Sequence, residues 1–557
     1  MKLILLFFIL FLEENIFAFD IQQWSKIIHY DNKPQIISQN FYLTNSVNVT
    51  PKLELEKTIF FLNSKKYGKK TACNYPLRYT FLKTQKVNIP NYNLQECKSL
   101  QNYVAKFQKD ELYIVFSAEY IDVPSSAFGH IMLLFKDKKS PIEIADVVHF
   151  AAVATHDSFL KYNYKGLTGG YNGYYVHERF FKKLYEYNIK QQRNIYLYRL
   201  NYSKEDILKI IYHLYELRKA TFKYYFLDNN CASLTTRLLE IPNKHIYNDE
   251  FFYMPIDTLH LFQKNIVNRS IYFSLITKID YLYTRLSEKD KKKFDLIIQK
   301  NLHVSNNESN ELKELVYYYY QFYFRKFHIS YKNYNSILKL QYQKTTINSL
   351  SYNPINKKAT TISIKQYIGK NDKKIRFSYR PLYQELNDFE SNSLSKNEFS
   401  LFKIDLAIAK DNIDLNAFTL FSMKSYAYRT LYYKPISWNL SSAYNRENIQ
   451  NKLKIQNKFG LGLSYKVFEN IHISLLSDFG LENISLYVNP SLYIEKTFAS
   501  FVKIEALSSI NIFQNSKKIF YQNEIKTSFK EKNLVFMLNY IDNTITHGIE
   551  LGVKYYF

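Results

Sequence analysis

The sequence predicts an α+β domain organised around one thiol, a helical extension behind it, and then an antiparallel transmembrane β-barrel of about 10–12 strands. Three observations lead there. Cys231 stands at the start of a helix, His130 opens a strand well upstream of it, and beyond about residue 335 helical spacing gives way to strict alternation of apolar and polar residues.

Taken from the N-terminus, residues 1–18 (MKLILLFFILFLEENIFA) join a lysine to a short apolar run that ends on a small residue. This predicts a signal peptide cleaved near Ala18, hence export. The apolar run is too short to span a membrane, and no cysteine follows it to take a lipid anchor. Residues 19–105 combine a helix-like start around Trp24 with polar turns and are expected to form an N-terminal cap domain. Of the three cysteines, Cys73 and Cys97 lie close enough in sequence to form a structural disulfide in an oxidising compartment. That would leave Cys231 unpaired, a flag for reactivity.

Residues 106–260 carry the chemistry. In TFKYYFLDNNCASLTTRLLE, Asn230 is a good N-cap and Ala232 to Leu239 carry apolar residues at helical spacing. A thiol there meets unpaired backbone N–H groups and the positive end of the helix dipole, which favour the thiolate. A lone cysteine is more often a small core residue; the second segment, VPSSAFGHIMLLF, changes the balance by supplying His130 as a base near a strand start. If that strand turns back through KDKKSP, His149 in IEIADVVHF has matching parity and becomes the third member, with Glu143 as runner-up and Asp146 on the wrong face. Asn229 and Asn230 are read as helix cap or oxyanion amide, with the cap preferred and the Cys231 backbone N–H facing the oxyanion. The glycines of KGLTGGYNGYY are too loosely spaced for a nucleotide cradle. They are expected to form a mobile loop over the thiol, with Tyr171, Tyr174 and Tyr175 lining a lipid groove or packing as surface aromatics. His156, His177 and Glu178 match no common zinc spacing. His213 is expected to be solvated, on the polar face of an amphipathic helix that starts at Ser203 and Asp206 and buries Ile207, Ile210, Ile211, Leu214 and Leu217.

SAFGH, ADVVHFAAVATH, KGLTGGYNGYYVHERFFKKLYEYN and RNIYLYRLNYSKEDILKIIYHLYELRKATFKYYFLDNNC with the following LLE resemble the periplasmic domain of Lnb-type bacterial lipoprotein N-acyltransferases. That resemblance implies a permuted papain-like, NlpC-like thiol fold, in which the histidine strand precedes the cysteine helix, as His130 precedes Cys231. It implies Cys231 as nucleophile and His130 as base, a phospholipid acyl donor and a lipoprotein amine acceptor. The chain departs from Lnb-type enzymes in lacking the hydrophobic helices that anchor them.

Residues 261–335 are expected to be a helical connector, part of a helical stretch from about 255 to 326 that ends in VYYYYQFYF. Residues 336–557 alternate in TTISIKQY, KIRFSYR, LGLSYKVF, SFVKIEALSSINIF and LVFMLNYID. In HGIELGVKYYF, Ile549, Leu551, Val553, Tyr555 and Phe557 share one face, with Glu550 and Lys554 on the other. A soluble sandwich alternates in the same way. The abundance of Tyr and Phe, suited to interfacial girdles, and the terminal phenylalanine favour an outer-membrane barrel.

The net charge of +25 is spread along the chain, with KDKKK at 289–293 as its one dense block. This argues against nucleic acid and suits contact with anionic lipid headgroups. No cofactor motif is present and none is expected. The functional expectation is an outer-membrane protein whose periplasm-facing thiol domain transfers an acyl chain, with phospholipid or lipoprotein as substrate. The alternatives are a cysteine hydrolase or peptidase of the cell envelope and a non-catalytic barrel that binds a lipid or a partner.

Overall fold

The computed structural model describes residues 19–557 apart from 45–47, 120–127, 154–156, 243–252, 301, 303, 328–336, 348–352, 371–372, 387, 390–394, 410–411, 447–451, 469–470, 484, 499–500, 515–518 and 545. The expected signal peptide and His156 lie outside the described residues. The chain divides into two compact units, one running to Glu119 and then from Phe128 to Phe273, the other built mainly from Ser274 to Phe557.

Among the described residues of the first unit, five α-helices precede the sheet: α1 Ile21–Ile27, α2 Pro51–Asn63, α3 Gly68–Asn74, α4 Pro76–Thr84 and α5 Lys98–Val104. Proline begins α2 and α4, where its missing N–H costs nothing. The Cys73–Cys97 disulfide is formed and Cys231 is the free cysteine. The sheet comprises β1 Glu111–Ser117, β2 His130–Lys136, β3 Asp146–Ala152, β4 Tyr171–Arg179, β5 Ile195–Leu200, β6 Phe222–Tyr224 and β7 Ile266–Tyr272. It is antiparallel throughout in the order β6-β4-β3-β2-β1-β5-β7. Helix α6 Phe159–Thr168 lies between β3 and β4, α7 Lys204–Glu216 follows β5, and α8 Cys231–Glu240 follows β6.

Two expectations are corrected here. The stretch from 255 to 326 is not wholly helical, because β7 interrupts it and adds an edge strand alongside β5. His213 on α7 is fully buried instead of solvated. Its ring stacks on His29 with centroids 5.0 Å apart, and their Nε2 atoms share a 2.9 Å hydrogen bond. The capping box at Ser203 and Asp206 and the buried stripe of α7 are present as read. The face of α7 opposite that stripe meets the N-terminal helices, a contact that periodicity within α7 does not reveal.

The second unit opens with α9 Leu275–Arg285, α10 Glu288–Lys300 and α11 Asn310–Phe327. They bury an aromatic core that takes in Tyr432 from a barrel turn, whose hydroxyl donates to Asp280 at 2.9 Å. Twelve barrel strands follow: β8 Thr361–Gly369, β9 Lys373–Arg380, β10 Ser395–Ala409, β11 Asn412–Arg429, β12 Ser437–Arg446, β13 Leu453–Phe468, β14 Ile471–Glu482, β15 Ser485–Phe498, β16 Val502–Phe513, β17 Ile519–Glu531, β18 Leu534–Asn543 and β19 His547–Tyr556. The short piece Leu382–Gln384 continues β9 along β10. The last strand pairs with the first, Ile549 opposite Ile368 and Tyr555 opposite Ile362, so the sheet has no free edge. Closure is what a bilayer demands, since the hydrocarbon offers backbone groups no other partner. On β19, Ile549, Leu551, Val553 and Tyr555 face outward and exposed while Glu550 and Lys554 are buried inside, the alternation read from the sequence. Among the described residues no helix is long and apolar enough to cross a membrane.

Candidate active site

Cys231 is the first residue of α8, and Asn230 is its N-cap. The Asn230 Oδ1 accepts from the Ala232 and Ser233 amides at 2.8 and 3.1 Å, and its Nδ2 donates to the carbonyls of Phe226 and Tyr253 at 3.0 and 2.7 Å. With both ends of its amide committed, Asn230 sets the helix start. Asn229 is buried, and its backbone carbonyl accepts from Tyr225 at 3.2 Å.

The strands explain how the histidines meet. In the β2–β3 hairpin Leu134 opposes Val147, so His130 and His149 fall on one face of the sheet. Their rings stand edge to face with centroids 5.5 Å apart. Pairing between β2 and β3 runs from Phe135–Asp146 to Leu133–Val148, short of the His130 end. At that end the Ile131 amide, next to His130, points at the Cys231 thiol together with the amides of Cys231 and Ala232. Helix start, histidine strand and the opening of the sheet thus converge on one sulfur.

The electrostatics reverse one expectation. Burial pushes the thiol up to about 11, outweighing the three amides that favour the thiolate. His130 lies well below the ordinary histidine value, first by burial and then by the neighbouring His149, Lys183 and Arg193. At neutral pH the Cys231 thiol and the His130 imidazole are therefore both neutral at rest. Among the described residues the buried His130 Nε2 has no hydrogen-bond partner, which leaves a ring nitrogen available to act as a base.

His149 is held from the next strand. Its Nε2 lies 3.0 Å from Glu178 Oε1, and Lys183 Nζ lies 3.0 Å from the same oxygen. Glu178 is on β4, two residues from the His149 partner Val176 and on the same face. The hydrogen bond with His149 is the main cause that holds the Glu178 carboxyl at about 2, with Lys183 adding to it against desolvation. Read from the sequence alone, Glu178 is only part of a weak metal pattern; the parity of a β3–β4 hairpin is the signal that would have found it. The runner-up Glu143 sits in a turn before β3 and accepts from the Tyr272 hydroxyl at 2.7 Å. Asp146 faces the other side, bonded to His177 at 3.0 Å and Arg179 at 2.7 Å. Glu178→Gln is expected to lower the His149 pKa further, because Glu178 supplies the hydrogen bond that raises it against burial. Histidine-selective NMR titration checks this, and an unmoved His149 would remove Glu178 from the relay.

The glycine-rich segment is not a loop over the thiol. It ends α6, with Gly169 in the left-handed conformation at φ +73° as C-cap, and then becomes β4. Tyr171 donates to Asp157 at 2.9 Å and Tyr175 to the Leu234 carbonyl of α8 at 2.8 Å, so both are structural ties, while Tyr174 is exposed. Among the described residues no group of three or more His, Cys, Asp or Glu side chains is arranged to hold a metal.

Residues 99–265 match the Lnb N-terminal periplasmic domain family. Two domains of unknown function match elsewhere, DUF7843 over residues 19–85 and DUF7840 over residues 361–489. No curated protein matches the chain. Among solved structures the chain is similar to the KdgM porin at 12% identity, covering 35% of this chain and 99% of that one with a TM-score of 0.24. It is similar to the NanC porin at 9% identity, covering 36% and 100% with a TM-score of 0.24. Omp33, an outer membrane protein of Acinetobacter baumannii, is 10% identical, with 36% and 98% covered and a TM-score of 0.22. Likenesses this distant carry no argument about function. The domain match and the closed barrel together make this an outer-membrane protein with an Lnb N-terminal periplasmic domain over residues 99–265.

Proposed function

We propose that the periplasmic unit is a cysteine acyltransferase of permuted papain-like design, with residues 106–260 as its catalytic region. The observation that supports it is the convergence of three backbone amides on the Cys231 thiol, one of them from Ile131 next to the buried His130, whose Nε2 has no hydrogen-bond partner among the described residues. Cys231 Sγ attacks the carbonyl carbon of a phospholipid ester while His130 takes the thiol proton, and the oxyanion is met by the Cys231 backbone N–H at the α8 N-terminus. The tetrahedral species collapses with C–O cleavage, His130 returns its proton to the departing lysophospholipid alcohol, and an S-acyl thioester remains. A lipoprotein amine then attacks the thioester, giving an amide and regenerating the thiol. His149, braced by Glu178, positions the His130 ring and screens its transient charge. No metal or cofactor enters any of these steps.

The experiment uses the full chain in detergent with phospholipid and intact-mass detection. One added acyl chain, removed by neutral hydroxylamine and discharged by a lipopeptide amine, is the expected result. An adduct released by water and indifferent to amines would make the protein a hydrolase. No adduct on a reduced, accessible thiol would sink the phospholipid reading and bring peptide substrates forward.

A further inference from the structure

The barrel closes around a lumen into which its own chain is folded. After β9 the backbone passes Pro381, Tyr383 takes a positive φ of 84° within the short wall piece Leu382–Gln384, and beyond it Glu385, Leu386, Asp388 and Phe389 turn inward. A hairpin needs a connection of only about 2–5 residues; the one between Arg380 and Ser395 is longer, and its described part is buried. Asp388 accepts from Arg380 at 2.6 Å, from the Tyr556 hydroxyl at 2.6 Å and from Lys554 at 3.4 Å, and its carbonyl accepts from Lys503 at 2.8 Å. Glu385 accepts from Lys403 at 2.7 Å and Lys554 at 2.9 Å. Leu386 clusters with Tyr426, Leu476, Tyr493 and Leu507, and Phe389 with Val535, Met537 and Tyr556. The segment is thus fastened to side chains of β9, β10, β11, β14, β15, β16, β18 and β19, on all sides of the lumen.

The space on its two flanks is unequal and separate. One side is a polar cavity of about 430 Å³ lined by Lys424, Asn439, Lys458 and Asp478 among others. The other is a small recess of about 30 Å³ bordered by Asp388, Phe389, Lys530 and Tyr556. No residue lines both.

We propose that the segment carrying Glu385, Leu386, Asp388 and Phe389 is a lumen plug and that the barrel is a sealed membrane anchor, not a pore. The two carboxylates face three cations, Arg380, Lys403 and Lys554, inside the barrel, so withdrawing the segment separates buried charge pairs. This inference is independent of the thiol chemistry.

The test is single-channel recording in planar bilayers with the refolded full chain. Two variants are compared with it: Glu385→Gln with Asp388→Asn, which removes the charge clamp at constant shape, and replacement of 385–389 by glycine and serine. Heat-modifiable gel mobility confirms that each barrel is folded. Expected is a silent wild type and discrete current steps from the variants. Steady steps from the wild type, or silence from either variant once folded, would overturn the plug; the isosteric variant decides alone if the replacement does not fold.

Discussion

Cys231→Ser is expected to lower turnover at least about a thousandfold, because a serine hydroxyl at this position inherits the geometry without the nucleophilicity of sulfur. The wild-type thiol itself gives a second readout. Burial places its pKa at about 11, so at pH 8 only about one molecule in a thousand carries the thiolate, and each pH unit upward raises that fraction about tenfold. Alkylation by iodoacetamide should follow this line, climbing through pH 9 and 10 towards a midpoint near 11. Catalysis should behave differently. A neutral His130, lowered well below the ordinary value of 6.5, is already competent as a base at neutral pH and loses its lone pair only in acid. The expected kcat/KM profile is therefore flat from about pH 7 to 9, with its acid limb below the usual histidine range. An alkylation midpoint below about 7 would mean a preformed thiolate at neutral pH and would refute the neutral resting thiol.

Much of this site was legible because it rests on local rules. Asn230 before Cys231, Ser203 with Asp206 and the alternation of β19 are set by capping and pleat geometry, which a few adjacent residues encode. The parity of His130 and His149 followed once a hairpin was assumed. What escaped depended on partners distant in sequence. Glu178 reaches His149 across a strand pair whose register the glycine-rich segment conceals, since a helix C-cap and a strand start share the same residues there. His213 looked solvated because its burial is supplied by His29, on a segment 184 residues away. The thiol pKa was misjudged in sign for a related reason. Helix position is visible in sequence, whereas the depth at which the packed sheet buries the sulfur is not.

Arg78→Met is expected to cost the soluble unit about 3–5 kcal/mol, the range for leaving buried charges without their partner. Arg78 on α4 is fully buried, its guanidinium stacked between the rings of Phe41 and Tyr75 at 4.4 and 4.5 Å. Its Nη1 bonds Glu54 of α2 at 2.6 Å, and its Nε lies 3.7 Å from Glu216 of α7. Each carboxylate has further donors: Leu43 and Thr44 serve Glu54, and the Leu77 and Arg78 amides serve Glu216. The arginine therefore ties the N-terminal helices to the helix that packs under the sheet. Methionine keeps most of the stem but strands two carboxylates in a site water does not reach. Against a typical total of about 5–15 kcal/mol for a domain, the loss is large. Arg78→Lys should recover little, since a point charge cannot span both acids or stack as the planar fork does. Adding Glu54→Gln and Glu216→Gln to Arg78→Met should recover much of the loss, because the penalty arises from unpaired charge and not from the missing volume. Trp24, fully buried on α1 and one of two tryptophans in the chain, reports the transition in urea. A midpoint shift worth less than about 1 kcal/mol, the size of an exposed ion pair, would mean that this network is not what joins the helices to the sheet.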